Sequence, residues 1–329
     1  MPSNTYDTTN SGSAVTTKEQ VMEGASLISP EQTPLFSSLD KVSLGSTQQS
    51  WNLDDYSAPR IDAVAEGKNP SSYEDAFENL AQVFNYTHTL ERTGQVTDDY
   101  ELTEAYADTS VARAKEKKTV EINRDVEMLL FSENTRVAGN KSGTARQTEG
   151  LAGMLTSDST VFADAPDYVI PAAQVKAATA PTETTVNAVL KSILDESGDM
   201  ADLVAYVDSG WVDSFTKAVL RIQESGANDN LRVNINGNDA KVGLRMKIYD
   251  GIHGTFKMVV NNAKCSRDTT NLDTGLFINR KYCKVGHLGP NLSINDEPYR
   301  HGTREFSIRT KVMPICTNPK SCANWQSTS

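Results

Sequence analysis

Hydrophobic residues recur with helical spacing along residues 98–133, and this is the clearest periodicity in the chain. The centre of this stretch, Arg113–Lys118, is strongly polar, so the apolar stripe of the predicted helix is narrow. Asp98 or Asp99 is predicted to cap its N-terminal end. A helix of this length would span about 50 Å. The stripe consists of Leu102, Ala105, Tyr106, Val111, Ile122, Val126, Leu129 and Leu130.

Shorter periodic segments follow, and they alternate between helix and strand. Amphipathic helices are predicted over residues 183–197, where Gly198 ends the pattern, and over 210–224, with a buried strand at 203–207 between them. The order of the elements indicates an α+β fold with two lobes. Period-two alternation predicts further strands within 231–235, 242–248, 256–260, 276–285 and 306–312.

Residues 47–97 have a different pattern, in which β-forming residues flank the polar sequence Gly67–Pro70. We predict two long antiparallel segments joined at a polar tip. Twenty extended residues reach about 65 Å, well beyond a compact core. Because an unpaired strand edge needs a partner, we expect a neighbouring molecule to cover this segment. Residues 1–26 have the composition of a flexible arm, and 37–41 are predicted to form a short helix.

The overall composition excludes one class of protein. Hydrophobic residues make up 38% of the 329 positions. No run approaches the roughly 20 apolar residues of a membrane-spanning helix. We therefore expect no membrane association.

Charge is distributed unevenly along the chain. The net charge is -11, and residues 54–104 contain 12 acidic and 3 basic residues, whereas 241–329 contain 14 basic and 6 acidic ones. An acidic chain is a poor match for tight nucleic-acid binding, which depends on Lys and Arg. The pattern fits either two solvated faces of a monomer or a head-to-tail contact between copies. The candidate interface residues are Asp54, Asp55, Asp62, Glu66, Lys68, Arg304, Arg309 and Lys311.

Residues able to support catalysis or metal binding are sparse. The four histidines show no metal-ligand spacing. None of the four cysteines, Cys265, Cys283, Cys316 and Cys322, forms a C-x-x-C pair, so a zinc site is not expected. Free thiols are the favoured interpretation, with a Cys316–Cys322 disulfide formed outside a cell as the alternative. We expect no catalytic residue, cofactor or metal ion.

Several local motifs, in this order, resemble the major capsid proteins of tailed bacteriophages with the Hong Kong-97 capsid fold. Within that group the chain is most similar to the branch from short-tailed phages with elongated heads. Weaker similarity extends through 247–257 and 305–309. The main motifs are Ile28–Leu39, Ser50–Asp55, Asn85–Thr87, Lys115–Lys118 with Arg124–Glu127, and Gly143–Arg146 leading to Gly150–Gly153.

The resemblance implies a definite division of the chain. Residues 1–46 would be an N-terminal arm, 47–97 an extended β-hairpin loop, and 98–179 a peripheral lobe with a long spine helix. Residues 180–290 would form an axial lobe, and 291–329 would return to the peripheral lobe. Lys68 occupies the place of a lysine that some members crosslink to a neighbour, although a lysine at a loop tip more often only solvates it.

The function implied by the resemblance is construction of a shell. Copies would form pentamers and hexamers that tile an icosahedral or prolate capsid around packaged double-stranded DNA, without specific DNA binding. Portal, scaffold and cement proteins would be partners, and assembly would occur in the host cytoplasm before the protein becomes part of the virion. The alternatives are a head-decoration or tail structural protein, and an enzyme, which would need a nucleophile–base pair or perturbed carboxylates in a cleft.

Overall fold

In a computed structural model, the structure describes residues 33–67, 69, 73–99, 110–140, 142–177, 179–220, 248–261, 275–299 and 301–326. These residues form two mixed sheets, a short hairpin and several helices, which agrees with the predicted α+β class. The helices are α1 Pro34–Ser38, α2 Val111–Leu130, α3 Leu151–Met154, α4 Glu183–Ser197 and α5 Ser209–Leu220. The first strands are β1 Asp40–Leu44, β2 Gln48–Leu53, β3 Ala81–Tyr86, β4 His88–Thr97, β5 Val175–Ala177, β6 Leu203–Val207 and β7 Ile248–Gly251. The later strands are β8 Gly254–Val260, β9 Gly275–Asn279, β10 Cys283–Leu288, β11 Ser293–Asp296, β12 Thr303–Cys316 and β13 Ala323–Gln326.

The five-stranded sheet is organised around the long strand β12. Its strand order is β1-β10-β12-β11, and β4 also pairs with β12. β4 and β12 are antiparallel, with Thr303 opposite Thr97 and Val312 opposite His88. Apolar side chains of β12 face α2, and Phe306 and Ile308 pack with Ile122 of that helix. The spine helix α2 therefore lies across the β4–β12 pair.

The six-stranded sheet has the order β5-β13-β9-β6-β8-β7 and carries α4 and α5. Its central strand β6 is buried along its whole length, as the apolar sequence predicts. α4 has the predicted bounds. A capping box formed by Thr182 and Thr185 opens this helix, and Gly198 closes it with a φ of 65°. The aromatic residues Trp211, Phe215, Phe277 and Trp325 pack together between α5 and the sheet.

Of the helix predicted over 98–133, residues 100–109 lie outside the described residues, and Asp98 and Asp99 are themselves helical. The spine helix α2 begins after Ser110, whose side chain accepts the backbone N–H of Arg113 at 3.2 Å, so Asp98 and Asp99 do not cap it. It ends near Ser132, whose hydroxyl donates to the carbonyl of Leu129 at 2.7 Å. The 20 residues of α2 correspond to about 30 Å instead of 50 Å. A side chain that satisfies free backbone groups sets each boundary.

The two long antiparallel segments predicted over 47–97 are only partly present. β2 and β3 pair over six positions, from Gln48 opposite Tyr86 to Leu53 opposite Ala81. The described residues between them form no strand. β4, predicted as part of the same loop, instead pairs with β12, more than 200 residues away in sequence. Long-range pairing thus takes β4 into the body of the protein.

Two further boundaries differ from prediction. Residues 276–285 form two strands instead of one, because the chain turns at Arg280–Tyr282 and leaves the six-stranded sheet for the five-stranded one. Arg280 is held at this turn by Asp202, with Nη2 2.5 Å from Oδ1. The short helix lies at Pro34–Ser38, not at 37–41. The predicted arm 1–26, the strand 231–235 and most of 242–248 lie outside the described residues.

Candidate assembly surfaces

The described residues of 54–80, between β2 and β3, form a segment that is exposed nearly throughout, and we call it the exposed segment. Its described residues between 54 and 67 are all exposed, and the side chain of Ile61 is 100% exposed. Such apolar exposure marks an interaction site when it is concentrated in one region. The large apolar residues of the segment that face solvent are Tyr56, Ile61, Val64, Tyr73, Phe77 and Leu80.

Hydrogen bonds and an ion pair hold the two halves of the exposed segment together without a β-ladder. Arg60 and Glu74 form an ion pair across it. Asn79 donates from Nδ2 to the carbonyl of Asp55 at 3.1 Å, and the hydroxyl of Tyr168 donates to the carbonyl of Asn79 at 2.5 Å. The base of the segment is therefore fixed to the body of the protein, while its apolar residues remain outside.

The predicted acidic residues of the interface all lie on the exposed segment. Asp54, Asp55, Asp62 and Glu66 are exposed. Asp55 accepts a hydrogen bond from the backbone N–H of Tyr56 at 2.8 Å. Lys68, the remaining candidate of this region, lies outside the described residues.

The predicted basic residues lie together on β12. Arg304, Arg309 and Lys311 are exposed there, next to buried positions of the same strand. Because side chains alternate between the two faces of a strand, Arg309 and Lys311 share one face, which we call the basic strand face, and Arg304 lies on the opposite face. Nη2 of Arg309 is 2.9 Å from Oε1 of Glu91 on β4, and Nε of Arg304 is 3.8 Å from Oδ1 of Asp98. These pairs are half-exposed and each contributes only about 0–1 kcal/mol. Both of these ion pairs are made with acidic residues other than the predicted Asp54, Asp55, Asp62 and Glu66.

A buried carboxylate on the spine helix anchors the segment that precedes β1. Glu127 is 0% exposed and accepts the backbone N–H groups of Leu35 at 3.0 Å and Phe36 at 2.7 Å. Both N–H groups belong to the first turn of α1, where backbone N–H groups have no hydrogen-bond acceptor within the helix itself. Asn261 donates to the same carboxylate at 3.2 Å. Burial raises the pKa of Glu127 to about 7, although its three hydrogen bonds act in the opposite direction.

A second buried polar group connects the short hairpin with the body. The amide of Asn85 on β3 donates to the carbonyl of Glu149 at 3.2 Å and accepts the Glu149 backbone N–H at 3.2 Å. It also faces the carbonyl of Pro314 on β12 at 3.5 Å. The Glu149 carboxylate in turn accepts the backbone N–H of Val161 at 2.9 Å and the hydroxyl of Ser159 at 2.8 Å.

Sequence analysis singled out Asn85 and the 124–127 motif only through the family resemblance, and it missed the role of Glu127 and Glu149. A signal was available for Glu127, because it is an acidic residue next to Val126 in the apolar stripe of α2. Glu149 gave no such signal, since it lies in a loop of irregular pattern.

Comparison with known proteins gives a consistent assignment. The family model described as SU10 major capsid protein matches residues 2–300. No curated protein matches the chain. Among the described helices, none combines the length and hydropathy that a bilayer-spanning segment needs.

Solved structures similar to this chain come from phage-related particles. One, titled "Capsid of native GTA particle computed with C5 symmetry", has a TM-score of 0.59 and 11% identity, covering 95% of this chain and 96% of that one. Another, "Capsid structure of the Cyanophage P-SCSP1u", has a TM-score of 0.58 and 10% identity, with coverage of 94% and 92%. A third, "Satellite phage P4 procapsid including size determination (Sid) protein", has a TM-score of 0.52 and 10% identity, with coverage of 89% and 86%.

The likeness to these structures shows that the fold is the Hong Kong-97 capsid fold, as the sequence motifs had implied. The match to the family model, over residues 2–300, includes the whole of the exposed segment and ends just before β12. The chain belongs to the SU10 major capsid protein family, and it is a structural protein of the phage capsid.

Proposed function

We propose that copies of this chain associate into pentamers and hexamers that close an icosahedral or prolate shell around packaged double-stranded DNA, with no catalytic step. The exposed segment carries the proposal. It displays several large apolar side chains, among them Ile61 at 100% and Tyr56 at 98% exposure. Burying such side chains against a neighbour stabilises each by about 1.5–3 kcal/mol. In a closed ring, each copy covers the exposed segment of the next, so the apolar side chains of every copy are buried equally.

The charge pattern supports a direction for this contact. The exposed segment of one copy would lie over the basic strand face of the next, and its acids would compete with Glu91 for Arg309. Exchange of one exposed ion pair for another changes little free energy, so the charges would set register and orientation more than affinity. The apolar residues would supply the affinity.

The two proposed lobes would each be built around one sheet, although β5 and β10 each belong to the sheet of the other lobe than their positions in the proposed ranges 98–179 and 180–290 imply. The six-stranded sheet with α4 and α5 would be the axial lobe at the five- and six-fold axes. The five-stranded sheet with the spine helix would be the peripheral lobe. Within the proposed return segment 291–329, β11 and β12 belong to the five-stranded sheet, whereas β13 belongs to the six-stranded one.

Further partners follow from the same proposal. Packaging requires a portal and a scaffold, and cement proteins would bind the outer surface. One similar structure, the satellite phage P4 procapsid, includes a size determination protein. The net charge of -11 is consistent with a wall that holds DNA without specific binding. Membership of the branch with elongated heads stays a prediction.

Size-exclusion chromatography and electron microscopy of the expressed full-length chain test the proposal. We expect shells, sheets or ring-shaped capsomers of five and six copies. A folded monomer that stays monomeric at high protein concentration would contradict it.

A further inference from the structure

Three cysteines meet where the chain passes between the two sheets. Cys283 opens β10, Cys316 ends β12, and Cys322 directly precedes β13. Sγ of Cys283 lies 3.7 Å from Sγ of Cys316 and 3.8 Å from Sγ of Cys322. All three sulfur atoms lie within 4.8 Å of one another. We call these residues the thiol cluster.

The thiol cluster is buried and has hydrogen-bond donors beside it, together with one acceptor, the carbonyl of Asn318, 4.0 Å from Sγ of Cys322. Each of the three cysteines is 0% exposed. The backbone N–H of Asn318 points to Cys316, and that of Asn279 points to Cys322. The hydroxyl of Ser321 lies 3.7 Å from Sγ of Cys322. Donors directed at sulfur favour the thiolate, which is the form that binds metal ions.

We propose that the thiol cluster binds a thiophilic divalent cation, with zinc as the natural occupant. A zinc–sulfur bond is about 2.3 Å, so two thiolates at the corners of a tetrahedron around zinc lie about 3.8 Å apart. The distances of 3.7 Å and 3.8 Å from Cys283 match this value. Soft thiolate ligands select zinc over magnesium or calcium, which bind oxygen.

A disulfide is the competing chemistry, and the geometry favours it less. Its sulfur atoms must approach to about 2.05 Å. Cys283 is at nearly equal distance from both partners, so either disulfide would leave a third buried thiol next to it. A metal ion would use all three sulfurs, which lie within 4.8 Å of one another. Oxidation would also require an oxidant to reach residues without solvent exposure.

Proton release accompanies the proposed binding. Hydrogen bonds from Cys283 and Cys316 lower the pKa of Cys322 well below its ordinary value. The neighbouring thiols of Cys316 and Cys322, together with burial, raise the pKa of Cys283. Thiol protons are released to solvent as the cation binds, because the thiolate is the form that coordinates it. Affinity should fall steeply in acid.

The bound ion would connect the two sheets. Cys283 and Cys316 belong to the five-stranded sheet, whereas Cys322 leads into β13 of the six-stranded one. The spacing of the cysteines gave no sign of this, because the pairing of β10 with β12, not a local loop, brings Cys283 opposite Cys316.

Metal analysis of the purified full-length protein tests the proposal. After expression with added zinc, mass spectrometry should find about one zinc ion per chain. Removal with a chelator should lower the thermal unfolding midpoint, and cobalt(II) added to the stripped protein should produce the intense thiolate charge-transfer and tetrahedral absorption bands.

Two variants make the test specific. Cys283→Ser should lose both the metal and the effect of the chelator, whereas Cys265→Ser, which leaves the cluster complete, should keep both. If Cys283→Ser fails to fold, the cobalt spectrum of the wild-type chain decides alone. Absence of zinc and of cobalt bands from the wild-type chain overturns the proposal, as does a thiol titration of the denatured protein that finds two of the cysteines oxidised.

Discussion

Oε2 of Glu127 lies 2.7 Å from the backbone nitrogen of Phe36, and this contact fixes the first described helix of the chain to the spine helix. The carboxylate takes the place of a helix cap, although it comes from a residue 91 positions away. Burial away from solvent disfavours the ionised carboxylate, whereas the hydrogen bonds donated by the backbone of α1 and by Asn261 favour it. The balance raises the pKa of Glu127 from 4.5 to about 7, where physiological changes of pH affect its ionisation.

Glu127 should make stability depend on pH between about 4.5 and 7. Its folded-state pKa of about 7 exceeds the ordinary value of 4.5, so its stabilising effect is complete below 4.5 and is lost as pH rises through 7. The shift corresponds to about 3 kcal/mol. Urea unfolding of wild type and Glu127→Gln across this range measures the effect. The free energy of unfolding of the wild type should fall more steeply with pH than that of the variant, and parallel curves would contradict this account.

Asn85→Ala should destabilise the protein by about 2–3 kcal/mol, because it removes the buried hydrogen bonds of the Asn85 amide to the backbone of Glu149 and Pro314. Asn52→Ala is the matched control, since Asn52 lies on the paired strand β2 with an exposed side chain. Its effect should stay within about 0.5 kcal/mol. Urea midpoints report both. Equal effects of the two substitutions would show that the buried amide has no special role.

Ser110→Ala should cost about 1 kcal/mol, because the spine helix loses the side chain that accepts the N–H of Arg113. Ser110→Asp should retain most of the stability, since a carboxylate accepts the same hydrogen bond and favours the helix N-terminus. Thermal unfolding of the two variants beside the wild type checks this. If both lose the same amount, the helix does not begin at this residue.

Gly94→Ala should destabilise the protein by about 1–3 kcal/mol through overpacking. Gly94 lies opposite Phe306 in the β4–β12 pair, and a Cβ there would come within 2.5 Å of the Phe306 ring. Gly45→Ala serves as control, because nothing lies within 4 Å of a Cβ at that position. Adding Phe306→Leu should recover part of the loss only in the Gly94→Ala background. Additive effects of Gly94→Ala and Phe306→Leu on urea unfolding would rule out this contact.

Substitutions that reverse the charge of acidic residues on the exposed segment should block assembly without unfolding the chain. We expect Asp62→Lys combined with Glu66→Lys to abolish shells in electron micrographs, because the new lysines would be repelled by the basic strand face of the neighbouring copy. Asp158→Lys combined with Asp195→Lys alters net charge equally at exposed sites elsewhere, and it should assemble. Unchanged thermal midpoints confirm that both variants fold. Normal particles from the Asp62 and Glu66 variant would refute the proposed contact.

Local patterns predicted the elements whose residues interact with near neighbours in sequence. The stripe containing Val126 and Leu130 identified the spine helix, and Gly198 marked the end of α4. The helix start at Ser110 was missed, because the acidic residues upstream give a stronger capping signal in the sequence. The pairing of β4 with β12 and the meeting of Cys283 with Cys316 depend on distant partners, which no local periodicity reports.

The contact of Glu127 with α1 was hidden for the same reason, since its partners are backbone groups without a sequence signature. Asn85 was different. It belongs to one of the motifs that resemble the capsid family, but only the structure shows that its amide both donates to and accepts from the backbone of Glu149.

The parallel pairing of β1 with β10 determines when the chain can fold during synthesis. Asp40 lies opposite Lys284, so the strand made almost first has to wait for one made near the end. A ribosome adding about 5–20 residues per second needs tens of seconds for this interval. Throughout that time β1 has no partner, and a nascent chain on a crowded polysome is exposed to the same strand of its neighbours. Host chaperones that shield the first fifty residues should therefore raise the yield of folded protein more than those acting after release.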